Sequence, residues 1–327
     1  MRRRSVIAFG IFLACCSYAS ALNPSLQVNQ YVHKAWTIRE GFFKSKTLCI
    51  AQTPDGYLWI GTDSGLVRFD GVRIVEWQPP AGEHLPSNFI RSLLAGRDGT
   101  LWIGTNRGLA SWKAGKLTPY PSLASHDIQP LYQDREGTVW AGLPKRPSLS
   151  VCAIRSGSSE CSAEDAKFGL IPGAIYEDSR GNLWVETETG LWRWKPGPPT
   201  LYPMKEGPGP GGLTEAAGGD ILIATPMGLK QFSGGRIEAY PVLGGMPFPA
   251  RGLLRDRDGG LWVGTIDRGL LHIYNGRTDV FARSNGLSDD FILSLFEDRE
   301  GNIWVATTQG LDRFRDPAVA TISPDEA

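Results

Sequence analysis

The side chains that could carry chemistry are few and scattered. Four histidines, His33, His84, His126 and His272, could serve as metal ligands or general bases, yet none stands in an HxxH or HExxH spacing. Each reads as a strand or surface histidine; His84 and His126, in loops, are the two with room for a catalytic role. No GxSxG elbow and no CxxC pair occurs. Cys49 lies in the apolar run Leu48-Cys49-Ile50-Ala51 with no cationic neighbour to lower its pKa, so it reads as a structural thiol. Asp55, Asp98, Glu136, Asp258 and Glu300 each precede a glycine at wide intervals, which makes them turn formers and not a two-carboxylate pair. Asp256-Arg257-Asp258-Gly259 begins like a calcium loop but lacks its later ligands. The GPGPGG stretch ending at Gly212 cannot be a dinucleotide fingerprint, because proline would break the helix that must follow. The expectation is a chain with no catalytic residues, no metal and no cofactor.

The elements that would position any site follow from composition. The 327 residues include Gly 40, Pro 23 and Trp 11 but only Met 4, a mixture that favours many short strands. Equal numbers of basic and acidic residues, 34 each, argue against nucleic acid as a partner. Arg2, Arg3 and Arg4, the apolar run from Val6 to Cys16 and then Ala19-Ser20-Ala21 have the anatomy of a secretory signal, residues 1–21, cleaved after Ala21. A lipoprotein signal using Cys15 or Cys16 is the weaker alternative. Later stretches are too short to span a bilayer, so the expected location is periplasmic or secreted, with no transmembrane segment in the mature chain.

One pattern recurs along the whole chain: PDGYLWIGTDSGL (54–66), RDGTLWIGTNRGL (97–109), REGTVWAGL (135–143), SRGNLWVETETGL (179–191), GGDILIATPMGL (218–229), RDGGLWVGTIDRGL (257–270) and REGNIWVATTQGL (299–311). Its central position is Trp59, Trp102, Trp140, Trp184, Leu222, Trp262 and Trp304, at spacings of 43, 38, 44, 38, 40 and 42. A period near 40 without helical patterning predicts an all-β, seven-bladed β-propeller of four-stranded antiparallel blades. In each blade an apolar strand A leads through the Asp-Gly or Glu-Gly turn to a tryptophan-bearing strand B. A second glycine then introduces strand C, and an outer strand D such as Arg236–Tyr240 follows. The tryptophans are expected between blades, not as an exposed stacking platform.

The seventh copy stops after its strand C, at Phe314, while Tyr31–Ile38 has strand composition and no partner of its own. Placing it outermost in blade seven closes the ring and removes both edges. The propeller is expected over residues 22–316, with 317–327 as a C-terminal tail. Blade three departs most, since Leu143–Pro147 replaces the glycine turn and Leu149–Asp165 reads as its own ribbon. A two-residue turn at Ser156-Gly157 places Cys152 directly opposite Cys161, in a non-hydrogen-bonded pair that favours a cross-strand disulfide.

The LWIGT…GL blades and the opening AWTIREGF resemble the two-component regulator propeller family, over about residues 23 to 316. That resemblance implies an extracytoplasmic sensing module giving signal input to a bacterial hybrid sensor histidine kinase. Relatives typically continue into a second propeller, an immunoglobulin-like three-tyrosine domain, a transmembrane helix and a kinase, none of which this sequence contains. It therefore reads as a stand-alone module or a truncated sensor. The implied partners are an envelope ligand, carbohydrate among the candidates, or neighbouring sensor domains and a kinase. An envelope lyase or hydrolase and a protein-interaction scaffold are the alternatives. Strand direction puts the B–C turns on the face opposite the near-identical A–B turns, and the B–C turns vary. Asn106, Arg107, Glu188, Asp267, Arg268 and Gln309 are accordingly the expected ligand- or partner-binding residues.

Overall fold

A computed structural model describes residues 22–317, apart from 145–149, 156, 163–168, 170–171, 205–210 and 243–246. The signal, its cleavage site, the lipoprotein alternative, Ser156 of the proposed hairpin turn and nearly all of the tail lie outside the described residues.

Twenty-eight strands form seven four-stranded antiparallel sheets. Blade one is typical: strands A to D are Thr47–Gln52, Leu58–Thr62, Leu66–Phe69 and Ile74–Trp77. Strand B is fully buried in most blades because both of its faces meet neighbouring sheets, so it reads as a continuous apolar run. Strand A departs from simple alternation, since in five blades its register against strand B shifts near its start. Near that shift stands the glycine of LWIGT. A Cβ on Gly61 would sit 2.6 Å from Ile90 and one on Gly264 2.6 Å from Ile292, each on strand A of the next blade, so the blades approach too closely for a side chain.

The ring closes as the sequence indicates. Val32–Thr37 pairs antiparallel with Gly310–Arg315 and becomes the outermost strand of blade seven, with Trp36 opposite Leu311. Trp36 is 1% exposed and stacks on Trp304 at 5.5 Å. His33 from the same strand reaches Asp312 Oδ1 at 2.8 Å, and the backbone N–H of Asn23 donates to the Asp316 carboxylate. Blade three is a regular blade, not a separate ribbon: its outer strands are Ser150–Arg155 and Ser158–Cys161. Cys152 faces Cys161 in register, and a disulfide joins them. Cys49 is buried, which pushes its thiol up to about 12.

Candidate functional site

The two faces of the ring are built differently, and the difference begins with the last residue of strand A and the four that follow it. In blade seven these are Glu297-Asp298-Arg299-Glu300-Gly301. The first residue of this group clasps the preceding blade. Glu297 accepts the backbone N–H of Arg257, Glu177 that of Arg135, Glu215 that of Ser179, Gln133 that of Arg97, and Gln52 that of Arg299. The arginine side chains donate onward to carbonyls of the next turn, as Arg135 does to Ser179 and Arg299 to Pro54. The two interfaces without this clasp lack its chemistry. Pro54 has no N–H to give and Ala95 no acceptor, while Arg255 stands where the acceptor for Ala217 would be.

The second residue locks the tryptophan. Asp134, Asp178, Asp256 and Asp298, all buried, each accept with Oδ2 the indole N–H of the tryptophan six residues on, at 2.7–2.8 Å. Their Oδ1 atoms accept a backbone N–H four residues on. Thr53 substitutes in blade one, and blade five drops both partners together, with Ala216 and Leu222. The acid just before the glycine drew attention in the sequence, but the acid two places earlier fastens the blade. Its constant distance from tryptophan is the signal that could have revealed it. In most blades the A–B turn is thus consumed by structure.

The B–C turns are braced from within. Thr62, Thr105, Thr187, Thr225, Thr265 and Thr307 each donate to the carbonyl of the glycine ending the turn and accept an N–H from inside it. The backbone is fixed without help from the intervening side chains, which are free to differ. Arg107, Glu188, Asp267 and Gln309 are exposed, and Asn106 and Arg268 are half-buried. Asn106 Oδ1 is buried with no hydrogen-bond partner among the described residues. Arg268 donates to the Pro247 carbonyl and lies 3.9 Å from Asp267, and these two are the pair that the structure brings together. Arg107 lines a hollow of about 320 Å³ with His84 and Tyr120, which the other five do not share.

Two buried titratable groups interrupt the repeat. Glu186 occupies the tight glycine position of blade four. Its Oε2 accepts the Gly212 N–H at 3.1 Å, Oε1 has no partner among the described residues, and burial pushes the carboxyl up to about 8. His272 is fully buried, stacked on Trp262 at 4.3 Å with neither ring nitrogen bonded, and burial pushes it down to about 4. Neither gathers a partner set suited to catalysis. Among the described residues no group of three or more His, Cys, Asp or Glu forms a metal cluster.

Fold and faces together define a seven-bladed propeller with one structural and one variable surface. Four segments, residues 41–64, 84–107, 247–267 and 286–309, match the model of the two component regulator propeller, so these four segments are similar to that family's repeats. Among solved structures it is similar to the extracellular domain of BT3049 from B. thetaiotaomicron, described as a hybrid two component system. The identity there is 19% and the TM-score 0.72, over 88% of this chain and 42% of that one. The corresponding domain of BT4673 from the same organism gives 21% identity and a TM-score of 0.72, over 90% and 40%. The chain therefore spans about two fifths of the length of these relatives. Virginiamycin B lyase from Staphylococcus aureus is also similar, at 14% identity and TM-score 0.69, over 87% of this chain and 99% of that one. At these identities the likeness is one of fold, and the fold does not by itself separate binding from catalysis. No curated protein matches the sequence. Among the described residues no helix is long and apolar enough to cross a membrane.

Proposed function

We propose that the chain is an extracytoplasmic sensor propeller that binds a ligand or partner through its B–C turns and gives signal input to a two-component phosphorelay. The contrast between the faces carries this reading. The A–B turns are spent on clasps and locks, whereas five of the six threonine-braced turns hold out polar side chains that no clasp requires; the sixth carries Pro226 and an exposed Met227. The family repeats and the likeness to extracellular domains of two-component systems support the sensory role. Export through residues 1–21 fits the Cys152–Cys161 bridge, since such bonds persist in oxidising compartments. N-terminal sequencing of the secreted protein should begin at Leu22, and peptide mass spectrometry without reductant should recover the bridge.

The binding surface is tested with Arg107→Ala and Arg268→Ala combined. Thermal-shift screening of envelope metabolites against the wild type supplies the ligand. The double variant should lose that shift, while each change at these surface turns alters stability by only about 0.5 kcal/mol. An undiminished shift in the double variant rules out the B–C mouth. The signalling role predicts that ligand changes phosphorylation of the kinase expressed with this chain, and that deleting the chain abolishes the change. A kinase response that is the same without the chain rejects it.

A further inference from the structure

Blade two keeps the tryptophan of the repeat but has lost what secures it elsewhere. Gly96 stands where four other blades place the locking aspartate, and the indole N–H of Trp102 has no hydrogen-bond acceptor among the described residues. The residue opposite the repeat position on strand C is Arg68, Arg193, Gln231, His272 or Arg313 in five blades, each long or bulky enough to cover it. In blade three that residue is Ala153, and the Lys195 ammonium covers Trp140 instead, 5.4 Å from the ring centre. Opposite Trp102 it is Ser111, and among the described residues no long side chain lies over the ring, which stays half-buried with Tyr120 beside it. The result is a cleft of about 920 Å³ between blades two and three, opening among the A–B and C–D turns, with Trp102 and Tyr120, 5.4 Å apart, in its wall.

The rim of this cleft is cationic. Arg97, Arg135 and Arg155 line it, and their side chains donate to neutral oxygens: the Asp134 carbonyl, the Ser179 carbonyl and the Thr138 hydroxyl. Lys113 is neutralised by Asp98 at 2.5 Å, and Glu136 is shared with Lys195 at 3.8 Å. Among the described residues, the three guanidiniums and Lys116 have no carboxylate partner. Guanidiniums recognise carboxylates bidentately, and an uncovered indole offers a stacking face beside an N–H donor.

The geometry points to this cleft as a binding site for a carboxylate-bearing ring compound, a sugar acid or an aromatic acid, on the face opposite the B–C turns. The ring lies against Trp102 and Tyr120, the indole N–H donates to a ring substituent, and the carboxylate meets the arginines. This site is independent of the B–C mouth.

The repeat itself supplies the test. Isotope-labelled full-length mature protein is titrated with trigalacturonate and, separately, with 4-hydroxybenzoate, while the indole ¹⁵N–¹H resonances are followed by NMR. The Trp102 resonance is assigned by its loss in Trp102→Phe. It should shift with one of the two acids, and which acid moves it decides between the sugar and aromatic sources. Neutral cellotriose and free acetate should leave it in place. Ser111→Gln and Ser111→Arg give blade two the cover used in blades five and seven, and both should weaken binding at least about tenfold with the fold intact by thermal unfolding. Because Ser111→Arg adds a positive charge, stronger binding in that variant would mean a diffuse charge effect and would overturn the site. So would the absence of a Trp102 shift with either acid, or undiminished affinity in Ser111→Gln. The Arg107/Arg268 double variant should bind these acids like wild type, which separates this site from the B–C surface.

Discussion

Trp304 donates its indole N–H to Asp298 Oδ2 at 2.7 Å, across six residues that contain the whole A–B turn of blade seven. One carboxylate thereby ties the end of strand A, the turn and the blade's largest side chain, because Oδ1 also accepts the Asn302 N–H at 2.8 Å. Asp298→Ala strands both donors in a buried setting and should cost about 3 kcal/mol, in the upper range for hydrogen bonds to charged groups. Asp298→Asn keeps an acceptor and should cost less. Urea unfolding of the two variants checks the order, and equal loss in both would show that charge, not the acceptor, matters.

Removing the closing strand should act on the whole ring. Deletion of residues 22–38 exposes the outer edge of Gly310–Arg315 and uncovers Trp304, so melting should fall as one cooperative transition. Trp36→Ala tests the same point without truncation and should cost about 3–5 kcal/mol, the range for large buried aromatics. A seventh blade melting separately from the other six, by calorimetry, would contradict a closed ring.

Glu186 shapes the stability profile between about pH 4.5 and 8. Its carboxyl titrates at about 8 when folded and near the ordinary 4.5 when unfolded, so between those values the unfolded chain holds fewer protons than the native one. Stability should therefore decline as pH rises from about 4.5 to 8 and then level off, by an amount of order a few kcal/mol. Glu186→Gln should flatten that slope. A variant with the wild-type slope would exclude Glu186 as its source.

His272 acts on the acid side with the opposite sense. Its folded value of about 4 lies below the ordinary 6.5, so the unfolded state takes up the proton first. The contribution is full above pH 6.5 and is lost as pH falls toward 4. His272→Met removes two unbonded nitrogens while filling similar space. It should leave stability near neutrality little changed and raise it at pH 5, as urea titrations at the two values would show. A variant less stable than wild type at pH 5 would contradict neutral burial.

Blade number, strand order and ring closure were legible in the sequence because the blades reuse the same few residues: a glycine at positive φ in the A–B turn, an apolar strand B and, in all but blade three, a threonine to brace the next turn. Gly301, with φ of 80°, and Thr307 show this in blade seven. The roles of Asp134, Asp178, Asp256 and Asp298 were not, since an aspartate two places before a turn looks like any turn former until its carboxylate is seen beneath an indole. Trp102 was hidden for the converse reason. Its own copy of the motif is complete, and only residues outside the motif, Gly96 and Ser111, leave it uncovered. The B–C residues were found by variation alone, which places them on turns but says nothing of the distances between them.

Closure also dictates an order of events. The N–H of Asn23 and the carboxylate of Asp316 are 293 residues apart in the chain yet 3.0 Å apart in space. As the polypeptide is made from its N-terminus, Val32–Thr37 has no partner until Gly310–Arg315 emerges, so its edge stays open through the synthesis of every other blade. Contacts of such length make late, slow folding steps. The first strand to be made is among the last to be sealed, and any protease present during synthesis reads that delay as the interval in which an unfinished ring can be cut.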